Sequence, residues 1–424
     1  MGALEPPDFK RRPDSALPVR FFALGLLGLL LLEAGIALDP QALRWPLAAH
    51  GILLLHLAVL GWITPVMMGA DYQLIPVVLH RPLPAQGLAT AVLGVYAVGV
   101  TVFLLGWGTG LPALIAVGGT TAGCALLAFC AHAGGALARL ERWGPTALGL
   151  GGGLAFLALT AVAGPYLALA LGGGVPAGAF PTLRAMHATL GLGGWLLLTI
   201  MGASYQLLPF FAATGPAFQP RCGTAAVACT AAGTGLLVVT ALAPALPASV
   251  GLALAGLGVA GWSYDLVRLA RHGRQARREP VVAYSLSAAA AIGAGGAVAA
   301  AAWAAHDARL GLAAALLGAV GGPSLLILGQ LQKILPFLAA LDAAVDAKRR
   351  GRVPRTEELF PRARAFALLG PLAAGFAAQV TGLALGRPGV VRLGAAVLLA
   401  AVVVYALQQV RTLAAWLAAR AAPP

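Results

Sequence analysis

Long apolar stretches alternate with short polar breaks along the whole chain. Twelve stretches approach or exceed the roughly 20 residues that a membrane-crossing helix needs. They fall at about 20–38, 46–79, 86–108, 110–138, 146–171, 182–213, 222–243, 247–270, 280–305, 310–341, 363–385 and 389–415. Glycine and proline recur inside them, as membrane helices tolerate, and small residues let such helices approach closely. The pattern predicts an all-α polytopic membrane protein with about twelve transmembrane helices. Residues 1–19 are polar and proline-rich and read as a cytoplasmic tail. The first apolar run follows Lys10, Arg11 and Arg12, as a signal peptide would. Glu33 interrupts the stretch where cleavage would fall, so the run reads as a retained spanning helix.

One stretch occurs three times. The first copy is Leu60-Gly61-Trp62 followed by Gly69-Ala70-Asp71-Tyr72-Gln73-Leu74-Ile75-Pro76. The second is Gly193-Gly194-Trp195 followed by Gly202-Ala203-Ser204-Tyr205-Gln206-Leu207-Leu208-Pro209. The third, Gly329-Gln330-Leu331-Gln332-Lys333-Ile334-Leu335-Pro336, has Gly322 in place of the tryptophan. The proline moves by 209 − 76 = 133 and then by 336 − 209 = 127 residues. That period is too long for a solenoid unit and fits a four-helix group duplicated twice. The motif occupies the second helix of each group. Four is even, so the groups share one orientation, as parallel repeats about an axis along the membrane normal. The division is a tail at 1–19 and repeats at 20–145, 146–278 and 279–424, the last with a cytoplasmic loop at 342–362.

A chain that is 60% hydrophobic and 10% charged is not a soluble domain. Its net charge of +14 raises nucleic acid as a partner. The basic residues, however, sit in short clusters between apolar runs, which is how cytoplasmic loops are marked. Lipid bilayer, not nucleic acid, is the expected partner. Loops with Arg81, with Arg139 and Arg142, with Arg221, with Arg268 to Arg278 and with Lys348 to Arg364 alternate with nearly neutral ones. This places both termini in the cytoplasm of a bacterial inner membrane. Cys124, Cys130, Cys222 and Cys229 form no zinc or haem-attachment spacing and read as small core residues.

Ionisable groups within a membrane are costly and are functional candidates by default. His56 precedes Pro76 by twenty residues and His187 precedes Pro209 by twenty-two, about 30 and 33 Å at ~1.5 Å per residue. With the prolines taken as inner helix ends, both histidines lie near the outer edge at similar depth. His56 stands six residues before Trp62, and His187 eight before Trp195. Two residues turn a helix by about 200°, so the histidines face opposite ways relative to the motif. On neighbouring helices of a ring they converge on one ligand. Two imidazoles from facing helices are the axial set of a b-type haem and half of a copper or zinc site; hydrogen bonding to a neighbouring helix is the plainer role. Supporting or pathway candidates are Glu33, Trp62, Tyr72, Gln73, Trp195, Tyr205, Gln206, Gln332 and Lys333. The Tyr and Gln positions read as caps for carbonyls freed by the prolines, or as proton entry. Glu33 reads as a group orienting a histidine or reaching the interface. His50 and His132 read as satisfied by water at helix ends. No residue is assigned a catalytic role.

The motif resembles one helix of subunit I of the haem-copper oxidases, especially the cbb-type oxidases and nitric oxide reductases. That helix carries His-x-His, Leu-Gly-Trp, Gly-Ala-x-Tyr and Leu-x-Pro. Leu60-Gly61-Trp62, Gly69-Ala70, Tyr72, Leu74 and Pro76 match it. His56 falls on its second histidine, a low-spin haem ligand; His187 falls on the first, a high-spin haem ligand. The family also has twelve helices in three four-helix arcs with haems toward the outer side. This chain has no His-His pair and no histidine in Gly311 to Gly329, and few membrane carboxylates for proton delivery. The resemblance thus implies heme b with iron between His56 and His187, no copper site and incomplete oxidase chemistry. It implies electron transfer or diatomic-gas (NO or O2) response, with a cytochrome or other redox subunit as partner. The alternative is a membrane transporter or a cofactor-free scaffold using pores between the arcs.

Overall fold

The computed structural model describes residues 15–78, 83, 85–176, 178–214, 217–243, 246–350 and 356–421. Most of the expected tail, Arg81, Arg352 and Arg355 lie outside the described residues. Twelve helices among those described are long and apolar enough to cross a membrane. They are α1 (Ala16–Leu38), α2 (Ala49–Pro76), α3 (Gly87–Thr109), α4 (Pro112–Leu137), α5 (Pro145–Leu171) and α6 (Phe180–Phe211). There follow α7 (Gly223–Leu242), α8 (Ala248–Arg271), α9 (Pro280–Ala305), α10 (Ala308–Asp342), α11 (Arg362–Ala384) and α12 (Pro388–Leu417). Each matches one apolar stretch, and no strand occurs among the described residues. The protein is an all-α polytopic membrane protein.

Local chemistry sets the helix ends. Pro112, Pro145 and Pro280 occupy first-turn positions, where a missing N–H costs nothing. Asp307 caps α10 by accepting from the N–H groups of Arg309 and Leu310, at 2.9 and 3.1 Å. Gly110 ends α3 at φ +70°, a left-handed conformation that glycine adopts without strain.

Two compact units divide the described residues. The first takes those of Met1–Gly25, Trp45–Pro209 and Pro216–Arg268; the second takes those of Leu26–Arg44, Phe210–Gly215 and Leu269–Pro424. In the first unit sequential helices pack antiparallel. Gly99 of α3 lies against Ala122 of α4, and Gly106 against Ile115. Gly123 of α4 lies against Ala161 and Pro165 of α5. Gly149 of α5 meets Gly202 of α6 so closely that a Cβ on Gly149 would stand 2.5 Å from the Gly202 Cα. Small residues are what permit that approach. Between α2 and α3, Tyr96 bonds Leu60 and Phe103 packs on His56, again antiparallel. This series leaves α2 and α6 running the same way.

In the second unit Gly295 of α9 lies against Gly318 of α10, and Gly329 of α10 against Tyr284 of α9. Gly375 of α11 meets Leu398 of α12, and Gly382 meets Val391. The Tyr405 hydroxyl of α12 donates to the Leu328 carbonyl of α10 at 3.1 Å.

Each motif-bearing helix leaves regular α geometry once. Leu57–Ile63 in α2, Leu190–Leu196 in α6 and Leu316–Gly321 in α10 wind as π-helix. The N–H of Thr64 reaches Val59 O, that of Leu197 reaches Leu192 O and that of Gly322 reaches Leu317 O, five residues back. Such winding accommodates an extra residue and gathers at functional sites. The rise and turn counted from the sequence are those of regular α-helix, so the π winding is a departure from expectation. The prolines also differ from expectation. They lie inside helices, which continue to Val78 past Pro76, to Phe211 past Pro209 and to Arg350 past Pro336. The expected 342–362 loop is therefore helical as far as Arg350, and Thr356–Leu359 forms a further short helix.

Candidate functional site

His56 and His187 meet in the first unit. Their ring centroids are 6.5 Å apart and their planes 26° apart. Their helices share one register: 187 − 56 = 131, and Trp195 Nε1 donates to Thr64 Oγ1 at 3.3 Å, with 195 − 64 = 131. The histidines are thus level. The motifs are offset by 133, so the two tryptophans are slipped by two residues, about 3 Å at the helical rise.

Both rings are held through Nδ1. His56 Nδ1 lies 2.9 Å from the carbonyl of Ile52, one turn back in its own helix. His187 Nδ1 lies 3.2 Å from the carbonyl of Thr160 on α5. A carbonyl only accepts, so each Nδ1 carries the proton. In a neutral imidazole the lone pair then resides on Nε2. Neither Nε2 has a hydrogen-bond partner among the described residues. Phe103 of α3 packs edge-on against His56, centroids 5.0 Å apart, and Trp107 packs in turn on Phe103. On the far side Gly164 of α5 gives His187 its place, since a Cβ there would stand 3.1 Å from His187 Cε1.

The π segment of α2 begins directly after His56. Such winding frees carbonyls, and the buried Tyr96 hydroxyl donates to one of them, Leu60 O, at 2.6 Å. Trp62 and Trp195 are buried where α2 and α6 meet the rest of the unit. Gly25 of α1 abuts Trp62, with its would-be Cβ 2.9 Å from the Trp62 carbonyl.

The remaining candidates occupy other places. The Tyr72 hydroxyl lies 3.4 Å from His132 Nδ1, with Phe21 and Phe129 packed around the tyrosine ring. His132 is buried, correcting its expected contact with water; His50 is exposed as expected. The Oε1 of Gln73 is buried without a partner, and Gln206 is half-buried. Tyr205 points its hydroxyl at Asp265 Oδ2, 3.5 Å away. Gln332 Nε2 donates to the Tyr284 hydroxyl at 3.0 Å, and Lys333 Nζ pairs with Glu279 Oε2 at 2.6 Å. The tips of Tyr72, Tyr205, Gln332 and Lys333 meet distant side chains, not the carbonyls around the prolines. Glu33 belongs to the second unit, where its carboxylate accepts from Gln379.

Several buried groups were not among the expected candidates. Asp71, Asp265 and Glu279 are buried carboxylates, as is the expected candidate Glu33. Asp265 accepts from the N–H groups of Arg221 and Cys222 at 2.9 Å each and so caps the start of α7. Glu279 holds Lys333 and also Arg362, at 2.8 Å. Asp71 sits in the repeated motif itself, a signal available in the sequence. Tyr96 carries no such signal, because only the π winding gives it a partner.

No protein-family model matches the chain, and no curated protein matches it. What fold and composition define is a class, the multi-pass helical membrane proteins.

Proposed function

We propose that His56 and His187 would hold the iron of a b-type haem. The protein would then serve electron transfer or diatomic-gas (NO or O2) response in a bacterial inner membrane, without complete oxidase chemistry. One observation carries the proposal, the 6.5 Å between the ring centroids. Two imidazoles that share one metal through bonds of about 2 Å must stand about this close. The tautomers support the same reading, with Nδ1–H held by a carbonyl and Nε2 left as the ligand atom. Among the described residues no group of three or more His, Cys, Asp or Glu side chains is placed to hold a metal ion. Two nitrogens suit an iron whose porphyrin brings its equatorial ligands better than a bare ion that draws four from the protein.

The haem would supply one-electron chemistry and gas affinity. The chain would supply orientation. Ile52 and Thr160 fix the rings, Phe103 and Trp107 keep water from His56, and the shared register of α2 and α6 sets the ligand spacing. A cytochrome or other redox subunit is the partner this reading requires. The basic loops support cytoplasmic termini.

A second reading, a transporter or cofactor-free scaffold, draws on the carbonyl bonds, which satisfy one nitrogen of each ring without a ligand. A pyridine-haemochrome assay and visible spectrum of the purified protein, expressed with haem supply, separate the two. Haem binding gives a red protein with a low-spin spectrum that His56→Ala and His187→Ala each abolish and His50→Ala leaves intact. A colourless preparation sinks the haem reading in favour of the second.

A further inference from the structure

The second unit buries an acid–amide pair that the proposed haem does not use. Glu33 of α1 and Gln379 of α11 are both fully buried, at 0% exposure. Gln379 Nε2 donates to Glu33 Oε2 across 2.6 Å. Helix α12 closes over α11 at this level, where a Cβ on Gly394 would stand 2.7 Å from the Gln379 backbone nitrogen. On α12, the exposed Arg392 donates its Nε to the carbonyl of Ala37, one turn outward from Glu33, at 2.9 Å. No ion pair to Glu33 occurs among the described residues.

Two oxygens of the pair have no hydrogen-bond partner, Glu33 Oε1 and Gln379 Oε1. With an ionised carboxylate both are acceptors facing a shortage of donors. Leaving them so costs the desolvation of each group, together with an unpaired charge in hydrocarbon. One proton answers both deficits. On Glu33 Oε1 it makes a hydroxyl that donates, and Gln379 Oε1 is the acceptor left over. Acid and amide then close a ring of two hydrogen bonds, each group giving one and taking one.

We propose that Glu33 and Gln379 form a proton-binding site, with the proton on Glu33 Oε1 shared toward Gln379 Oε1. The site involves neither His56 nor His187 and does not rest on the haem reading. Glu33 lies 38 − 33 = 5 residues from the end of α1, about 8 Å at ~1.5 Å per residue. The proton therefore exchanges with solvent across little more than one helical turn.

Glu33→Gln tests the proposal in the full-length protein. An amide at position 33 offers Gln379 one donor and one acceptor at every pH. The unfolded glutamate releases its proton near ~4.3. If the folded chain keeps that proton, wild-type stability falls as pH rises above this value, whereas E33Q has no such loss at this position. The expected result is a Tm difference, E33Q minus wild type, that grows from mildly acidic to alkaline pH. Infrared spectra of the wild type at neutral pH should show a protonated-carboxyl band that shifts in heavy water and is absent in E33Q. Gln379→Leu should move that band to higher frequency, a readout that survives poor folding of E33Q. A Tm difference that does not grow, or the lack of a carboxyl band attributable to Glu33, overturns the proposal.

Discussion

The π segment of α2 sets where His56 points, and deleting Val59 tests this directly. Val59 O is the acceptor of the five-back bond from Thr64. The C-terminal side of the segment is anchored by the Thr64–Trp195 and Leu60–Tyr96 bonds. Removing one residue lets the segment close as ordinary α-helix. Everything before it then turns by about 100° and advances by ~1.5 Å, and a side-chain tip some 5–6 Å from the axis sweeps about 8 Å. That sweep exceeds the present 6.5 Å between the two rings, so the imidazoles part. The assay is cross-linking in a His56→Cys, His187→Cys background with a bifunctional thiol reagent of about that span. The parent pair should yield joined peptides by mass spectrometry; the Val59 deletion should yield almost none. Equal cross-linking in both would refute the idea that the π winding aims the histidine.

Three further perturbations follow from packing and pairing. Tyr96→Phe leaves Leu60 O without its donor and should cost about 1–3 kcal/mol, measured by denaturant unfolding in detergent. Gly149→Ala pushes a methyl into the α6 backbone and should cost about 2–3 kcal/mol, whereas Gly235→Ala, with nothing within 4 Å of the new Cβ, should gain up to about 1 kcal/mol of helix propensity; thermal unfolding compares the two. Glu279→Gln strips Lys333 and Arg362 of their buried counter-charge and should cost about 3 kcal/mol, with part recovered in the Glu279→Gln, Lys333→Met double variant.

The twelve helices were legible because hydrocarbon demands long apolar runs and every one of them is present. Their ends were legible within a few residues from Pro112, Pro145, Pro280 and the polar breaks. Counting back to the prolines gave His56 and His187 similar depths, about 3 Å apart by the helical rise; the two-residue slip between the motifs that brings them level has no signal in the sequence. The π segments were not legible, because runs such as Leu57–Ile63 are apolar on every face and give no periodicity to violate. The pairing of Glu33 with Gln379 was equally hidden, since 346 positions separate them and nothing local to either residue names the other.

The three π segments have a bearing on ancestry. Thr64 precedes its proline by 76 − 64 = 12 residues, Leu197 by 209 − 197 = 12 and Gly322 by 336 − 322 = 14. The third copy keeps the winding although α10 carries neither the tryptophan nor a histidine. If the three motif helices descend from one duplicated four-helix precursor, that precursor already carried an inserted residue, shifted by two positions in the third copy. On that lineage the backbone irregularity predates the duplications, and the histidines distinguish copies that were alike in shape before they differed in chemistry.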